Sequence, residues 1–529
     1  MPHSFSDGQL LQQSIRRRWG VIDWDLHFPW WRQPAKVRIL MYADGSVHFN
    51  GGSFLGLQYV YTLLKTRAYS YVDFSLDFAH RTGGDPTATI AGAKLLTDPA
   101  LDIMNKYDEI WFFGAESLPN LNPAEVALLS QFMAAPKFGG ILATGDHADL
   151  GKGIAGQIPR AGVMRRYPAP PSQLDPVLND TLEEGPDPNN TFDFDDQSDD
   201  KPQTIRWRRY PMASPFILTR RHRPHPVLCG PDGPINVLPD HQHEGEALAP
   251  TPAPGDPTWP TKAGHQEAPE VIAWGKIKNP TSTKHGKEIG VISTYNGHNV
   301  DVGRILADST WHHWFDINLT GIATSPSPYA GFDETPAGQA ALKKIDAYFL
   351  NCGVWLAPPA RQTEMKHAAW WSILWSDRMV ELSPQASLAR LGEEAINALG
   401  LRAARCTVSE FILDWPIFKE KIPQWEWPML FERFQLIDLP FEKYVAGGIL
   451  KHLLQEVGPL NPKLSFPDKP IQDDILQKVM RAGVEEGMST LTKQLRQEAA
   501  LVAKLTESGF RAEAVDGRVR RMVEEVVTA

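Results

Sequence analysis

The chain reads Asp108-Glu109-Ile110-Trp111-Phe112-Phe113-Gly114, a short and mostly apolar run that predicts a buried strand. A helix is predicted next, because Asn122-Pro123 places a capping side chain before a proline that needs no hydrogen-bond donor. That helix is predicted to run to about Ala135. Gly139-Gly140 then precedes another predicted strand, Ile141-Leu142-Ala143-Thr144. Strands that alternate with helices at this spacing predict a mostly parallel sheet with helices on both faces.

The same alternation continues on both sides of this stretch. Strands are predicted over Val37–Met41, Tyr71–Phe78 and Glu288–Thr294. Helices are predicted over Phe54–Lys65 and from Thr335-Pro336 to about Leu350. We therefore expect one α/β domain over residues 36–358.

Three other regions differ in composition from this domain. Residues 1–35 precede the first predicted strand and form an N-terminal extension. Residues from about 168 to 280 are rich in Pro, Gly and acidic residues, so they predict an insertion of long loops with a few short strands. Residues 361–529 contain amphipathic stretches such as Ile475–Leu505 and predict a separate helical domain.

The overall composition narrows the class of protein. The 529 residues carry a formal net charge of -10, which argues against general binding to nucleic acid or to anionic membranes. The three cysteines are widely spaced and odd in number, so neither a disulfide framework nor a cysteine zinc site is indicated. Neither an apolar secretory signal nor an apolar run of the ~20 residues of a membrane span is present, so we expect a cytoplasmic location.

The loop after the strand Ile141–Thr144 is a candidate site, because ligands of parallel α/β sheets bind outside the carboxyl ends of the strands. It reads Gly145-Asp146-His147-Ala148-Asp149-Leu150-Gly151, a sharp turn of the kind that presents a nucleophile in some α/β enzymes. His147 could ligate a metal or act as a base, with Asp146 beside it. The alternative is that Asp146 and Asp149 only cap the next helix.

A second candidate is the segment Asp240-His241-Gln242-His243-Glu244. Two histidines one residue apart, flanked by carboxylates, could ligate zinc or a similar divalent ion. The predicted ligands are His241, His243, Asp240 and Glu244. The alternative is a polar surface loop without a metal.

The third candidate combines His298 with the segment Asp308 to Asp316, which contains His312 and His313. Asn296-Gly297 predicts a tight turn, so His298 is expected just past a strand end. Asp308 or Ser309 could cap a helix that carries the two histidines. Because adjacent residues of a helix point about 100° apart, we expect one histidine to be functional and the other structural.

These features together resemble the ThuA-like branch of the class I glutamine amidotransferase-like superfamily. The likeness lies in Gly286-Lys287, the strand Ile289–Thr294 and Asn296-Gly297-His298, and in His225-Pro226-Val227-Leu228 followed by Asp240–Glu244. It covers roughly residues 36–355 and implies a flavodoxin-like sheet. Because Asp146 and His147 stand where amidotransferases carry a cysteine nucleophile, glutaminase activity is not expected.

We therefore expect a hydrolase or sugar-related enzyme whose catalytic residues are His147, Asp146, His298, His312 and Asp308. These side chains would meet at one end of the sheet, around an activated water or a divalent metal ion. The alternative is a non-catalytic ligand-binding or scaffold protein. In either case the partner is a small molecule, and the helical domain would bind a protein partner or self-associate.

Overall fold

The structure is a computed structural model. It describes residues 5–19, 34–49, 55–66, 68–146, 149–167, 202–212, 221–230, 232–239, 245–277, 285–321, 331–332, 336–374, 385–400, 407–408, 411–412, 441–457 and 473–507.

A nine-stranded sheet forms the centre of the α/β region within these described residues. Its strands are β1 (Ala35–Ala43), β2 (Val72–His80), β3 (Ile90–Ala93), β4 (Glu109–Phe113), β5 (Gly140–Ala143), β6 (Arg206–Trp207), β7 (Glu270–Lys276), β8 (Glu288–Tyr295) and β9 (Ile305–Asp308). The order across the sheet is β3-β2-β1-β4-β5-β9-β8-β7-β6. The first six strands in this order run parallel, and each of the last three runs antiparallel to the strand before it.

Helices lie between the strands along the chain and also follow the last strand. They are α1 (Phe5–Trp19), α2 (Gln58–Lys65), α3 (Ile103–Lys106), α4 (Pro123–Met133), α5 (Lys152–Ala155), α6 (Asp316–Leu319), α7 (Pro336–Leu356), α8 (Pro359–Ile373), α9 (Leu388–Gly400), α10 (Phe441–Val457) and α11 (Asp473–Glu507). The α/β class with a mostly parallel sheet and a helical C-terminal region is therefore confirmed. None of the described helices is long and apolar enough to cross a membrane.

The predicted helix after Asn122-Pro123 shows how the sequence produces these elements. The Asn122 side chain accepts hydrogen bonds from the backbone N–H groups of Ala124 and Glu125, and the Glu125 carboxylate accepts one from the Asn122 N–H. This reciprocal cap satisfies N–H groups that the first helical turn would otherwise leave unpaired.

Alternate residues of β4 show that helices cover both faces of the sheet. Phe112 belongs to a core that includes Leu129 and Phe132 of α4. Trp111 points the other way, where its ring centroid lies 5.5 Å from that of Trp314. Trp314 packs in turn on Phe349 of α7, at 4.7 Å between centroids. Since side chains alternate along a strand, one apolar strand supplies both cores.

The described part of the predicted insertion consists of short strands. Two-residue and three-residue pairs join Pro202–Thr204 to Val237–Pro239, Cys229–Gly230 to Gly233–Pro234, Arg165–Arg166 to Glu246–Ala247, Thr261–Lys262 to His265–Gln266, and Tyr210–Met212 to Arg221–Arg223. The insertion also contributes β6 and β7 to the antiparallel end of the main sheet.

The chain divides into two compact units, of which one comprises residues 1–209 and 224–368 and the other residues 210–223 and 369–529. In the second unit α10 packs against α9 and α11 at glycines. Gly447 meets the backbone of Leu388, and Gly448 meets the backbone of Gly483. The missing side chains allow the helix backbones to approach closely.

Candidate functional site

The loops that follow β4 and β5 touch each other at the carboxyl edge of the parallel strands. A Cβ atom on Gly151 would lie 2.7 Å from the Gly145 Cα and 3.1 Å from the Gly114 carbonyl oxygen. Gly151 has a φ of +90°, a conformation that glycine adopts without strain. The Glu116 carbonyl accepts hydrogen bonds from the N–H groups of Gly151 and Gly153. The two loops therefore form one continuous polar rim.

Asp44, which directly follows β1, is buried in this rim. Its Oδ1 accepts hydrogen bonds from the backbone N–H of Ala115 at 2.6 Å and of Glu116 at 3.2 Å. Its Oδ2 is buried without a hydrogen-bond partner. Burial raises the pKa of the carboxyl to about 7, although the two backbone hydrogen bonds act in the opposite direction. Asp44 can therefore gain or lose a proton near neutral pH.

A second polar group lies at the ends of β5 and β9. The Thr310 hydroxyl donates to Asp146 Oδ1 at 3.1 Å, and His312 Nε2 lies 3.5 Å from Asp146 Oδ2. The other ring nitrogen of His312, Nδ1, lies 2.9 Å from Asn318 Oδ1. Because an amide oxygen only accepts, Nδ1 is the donor in this hydrogen bond, while Nε2 is the ring nitrogen on the side of Asp146.

Arg165 and Tyr167 lie beside the second of these groups. The buried Arg165 guanidinium donates to the carbonyl oxygens of Asp146 and Ser309, and its carbon lies 4.9 Å from the centroid of the Tyr167 ring. The Tyr167 hydroxyl is buried without a hydrogen-bond partner. Burial raises the pKa of this tyrosine, although the Arg165 cation beside it acts in the opposite direction.

Asp308 and His313 belong to a fully buried network that adjoins this group, because the Thr310 N–H donates to Asp308 Oδ1 at 3.3 Å. His313 Nδ1 lies 2.6 Å from Asp308 Oδ1, while Trp314 Nε1 and the Tyr348 hydroxyl donate to Asp308 Oδ2 at 2.9 and 2.7 Å. The two adjacent histidines point to different partners, which the sequence predicted. Asp308, a predicted catalytic residue, instead anchors aromatic side chains of the core.

The predicted helix caps in this region are wrong. The histidines lie in a short 3-10 helix, Trp311–His313, whose capping side chain is Thr310 and neither Asp308 nor Ser309. The cap residue of α5 is Gly151, and no side chain caps this helix. The alternative in which Asp146 serves only as a helix cap is therefore wrong as well.

The expectation that His298 meets Asp146 at one end of the sheet is also wrong. Since β8 runs antiparallel to β9, its carboxyl end lies at the amino edge of the parallel strands. His298 follows there in the 3-10 helix Gly297–Val300, and its ring centroid lies 6.3 Å from that of Phe138. The structure thus brings Asp146 and His312 together at one edge of the sheet and places His298 at the other edge.

The remaining predicted residues, His147 and the metal ligands Asp240, His241, His243 and Glu244, lie outside the described residues. Across the residues that are described, no group of three His, Cys, Asp or Glu side chains could hold a metal ion. Gly245, which follows the predicted ligands, donates its N–H to the Ser309 carbonyl at 3.1 Å.

Sequence reasoning missed two polar residues at this edge. It did not single out Asp44, which follows the predicted strand Val37–Met41, and it ended the second strand at Phe78, before His80. His80 Nδ1 accepts from the N–H groups of Thr82 and Gly84 at 3.2 and 3.0 Å, whereas its buried Nε2 has no partner. Burial lowers the pKa of this histidine. The only available signal was the position of both residues at a strand end.

The fold and this rim define an α/β protein with buried Asp and His groups at the carboxyl edge of a mostly parallel sheet. Comparison with known proteins gives no match for the chain among family models, curated proteins or solved structures.

Proposed function

We propose that the chain is a hydrolase that transfers protons through Asp44 and His312, acting on a small, sugar-like substrate. The observation that carries this proposal is the Asp44 carboxyl, which is buried at a strand end with one oxygen unpartnered and has a pKa of about 7. A group with a pKa near the working pH is the most effective general acid or base.

His312 supplies the complementary base. Its Nδ1–H is held by Asn318, so Nε2 can accept a proton from water. Asp146, 3.5 Å away, would stabilise the imidazolium that forms. The Thr310 hydroxyl on the other oxygen of Asp146 fixes the orientation of that carboxylate.

The reaction then needs two proton transfers in opposite directions. Water gives a proton to His312 Nε2 while its oxygen forms the new bond to the substrate. The bond from the substrate to the leaving oxygen breaks, and that oxygen takes the proton from Asp44 Oδ2. Both groups return to their starting states when the proton on His312 is passed back to Asp44 through solvent.

A divalent metal ion and His147 remain part of the proposal. Two imidazoles and two carboxylates, from His241, His243, Asp240 and Glu244, are a donor set suited to zinc. A bound ion would polarise a water molecule.

The resemblance to the ThuA-like branch, and with it a flavodoxin-like fold and a cytoplasmic location, belongs to the same proposal. The order β2-β1-β4-β5-β9 of parallel strands supports the flavodoxin-like part of this proposal. A small-molecule substrate remains the expected partner of the α/β unit, and a protein partner or a second copy that of the helical unit.

The test is hydrolysis by the full chain of a panel of alkyl glycosides and alkyl esters, whose strongly basic leaving oxygens need a proton from a general acid. Asp44→Asn and His312→Gln should each lower kcat/KM by about 100-fold or more, because each removes one proton-transfer group. The parent should lose activity above about pH 7, where Asp44 loses its proton. The Asp44→Asn variant should lack this alkaline limb.

Two variants outside the site serve as matched controls. Asp301→Asn changes an exposed aspartate at a φ of +58°, which asparagine tolerates, and His452→Gln changes a half-exposed histidine of α10. Both should keep the activity of the parent. Full activity in Asp44→Asn or His312→Gln would rule out the mechanism, and a parent inactive on the whole panel would favour the ligand-binding alternative.

A further inference from the structure

A buried arginine lies at the opposite edge of the sheet from this site. Arg160 is only 8% exposed. Its guanidinium donates to the Thr258 carbonyl at 2.9 Å and to the Met133 sulfur at 3.5 Å, and its Nε–H has no partner. None of the described carboxylates forms an ion pair with it. A buried cation without a counter-ion is costly, so its presence needs an explanation.

Tyr295 adds a second unpartnered donor beside this arginine. Its ring is fully buried, its hydroxyl has no hydrogen-bond partner, and its ring centroid lies 5.8 Å from the guanidinium carbon of Arg160. Burial raises the pKa of the hydroxyl, which therefore stays protonated and can donate. Because Tyr295 pairs with Ile305 at the start of β9, both donors lie at the amino edge of the parallel strands.

The other charged group near this tyrosine, Glu267, has partners of its own. Glu267 Oε2 lies 2.7 Å from His265 Nε2 and accepts a hydrogen bond from Asn299 Nδ2 at 2.8 Å. The charge of Glu267 raises the pKa of Tyr295 but does not contribute to the pKa shift of Arg160. The Trp259 ring packs against the Tyr295 ring, with 5.2 Å between their centroids, and adds apolar surface beside the tyrosine.

The backbone at Arg160 is also unusual. Its φ of +68° lies in the left-handed region, which costs a residue other than glycine free energy. Such a conformation persists where the surrounding structure imposes it. The residue that adopts this conformation also carries a buried cationic side chain.

We propose that Arg160 and Tyr295 bind a small oxyanion, either a carboxylate or a phosphate group. The anion would accept hydrogen bonds from Arg160 Nε and from the Tyr295 hydroxyl and would neutralise the buried guanidinium. Charge-assisted hydrogen bonds of this kind are among the stronger ones in proteins. The site is independent of Asp44 and His312, which lie at the other edge of the sheet.

The test measures the unfolding temperature of the full chain while inorganic phosphate or acetate is titrated at constant ionic strength, balanced with sodium chloride. A ligand that binds only the folded state raises this temperature in a saturable manner. The parent should show saturation with at least one of the two anions. The anion that saturates at the lower concentration identifies the chemical source, phosphate or carboxylate.

Arg160→Met should raise the half-saturating concentration at least about tenfold, and Tyr295→Phe about three- to tenfold, since each removes one donor. Arg208→Met, which changes an exposed arginine, should leave it unchanged. The proposal is overturned if neither anion gives saturation in the parent, or if Arg160→Met titrates like the parent. If Arg160→Met does not fold, an unchanged titration of Tyr295→Phe overturns it.

Discussion

Replacing Asp44 by asparagine should change how the stability of the α/β unit depends on pH. The asparagine oxygen can accept the same hydrogen bonds from the N–H groups of Ala115 and Glu116. What the substitution removes is the titration of a buried carboxyl whose second oxygen has no partner. The variant therefore isolates one ionisation while it preserves the local hydrogen bonds.

The sign follows from the raised pKa. The ordinary pKa of 3.8 applies in the unfolded chain, and the folded pKa is about 7. Between these values the folded protein holds a proton that the unfolded chain has released. The contribution of Asp44 to stability is therefore fully present below pH 3.8 and is lost as the pH rises through about 7. Roughly three pH units at about 1.36 kcal/mol each give a loss of about 4 kcal/mol.

Urea unfolding followed by tryptophan fluorescence between pH 4 and 8 measures this difference. The free energy of unfolding of Asp44→Asn minus that of the parent should rise with pH by up to about 4 kcal/mol. Only the difference is informative, because the many other ionisable groups of the chain contribute equally to both proteins. A difference that stays flat or falls with pH would refute the raised pKa and, with it, the proposed role of Asp44.

Asp85→Asn gives a control of opposite sign. Burial alone would raise the pKa of Asp85, but hydrogen bonds from Thr87 and from the Phe49 N–H outweigh it and lower the pKa. A lowered folded pKa contributes stability that is present above the unfolded pKa and is lost as the pH falls. Below about pH 3.8 the same difference should therefore fall with rising pH for Asp85→Asn, and between pH 4 and 8, where the contribution is fully present, it should stay nearly flat.

Two further predictions concern a buried ion pair and a close contact between helices. Arg18→Met should lower the free energy of unfolding by about 3 kcal/mol in urea titrations, because it removes the cation 2.8 Å from the buried Asp346 carboxylate; a variant as stable as the parent would show that the pair contributes nothing net. Gly447→Ala should lower the thermal unfolding temperature of the helical unit, monitored by circular dichroism, because the new Cβ meets the Leu388 carbonyl of α9. Gly400→Ala, which has open space around it, should raise that temperature slightly; equal effects of the two alanines would contradict the close glycine contact.

The elements that the sequence predicted well are those whose signals are local. The cap at Asn122-Pro123 and the apolar run Glu109–Phe113 depend on neighbours within a few residues, and the structure has α4 and β4 at these places. The helix opened by Thr335-Pro336 is found as well and extends to Leu356. Capping and burial of a short apolar strand are decided by chain-local chemistry.

The direction of β8 was not predicted, because sequence analysis did not recognise β9 as a strand. Only residues 296–304 connect Tyr295 to Ile305. A parallel connection needs a crossover of a dozen or more residues, so this short link requires an antiparallel pair. Once β9 is known to pair parallel with β5, the short link between β8 and β9 places His298 at the amino edge of the parallel strands. The error in the site therefore came from one missed strand of four residues.

The distinction between Asp44 and Asp308 could not be predicted from sequence at all. Both are buried aspartates at strand ends, so neither their position nor their residue type distinguishes them. Asp308 receives Trp314, Tyr348 and His313 on its two oxygens, whereas Asp44 leaves one oxygen unpartnered. Buried polar groups are normally satisfied, and a fold tolerates an unsatisfied one where another interaction compensates for its cost. The count of hydrogen-bond partners, which depends on the packed structure, is therefore what separates a structural carboxylate from a candidate proton donor in this sheet.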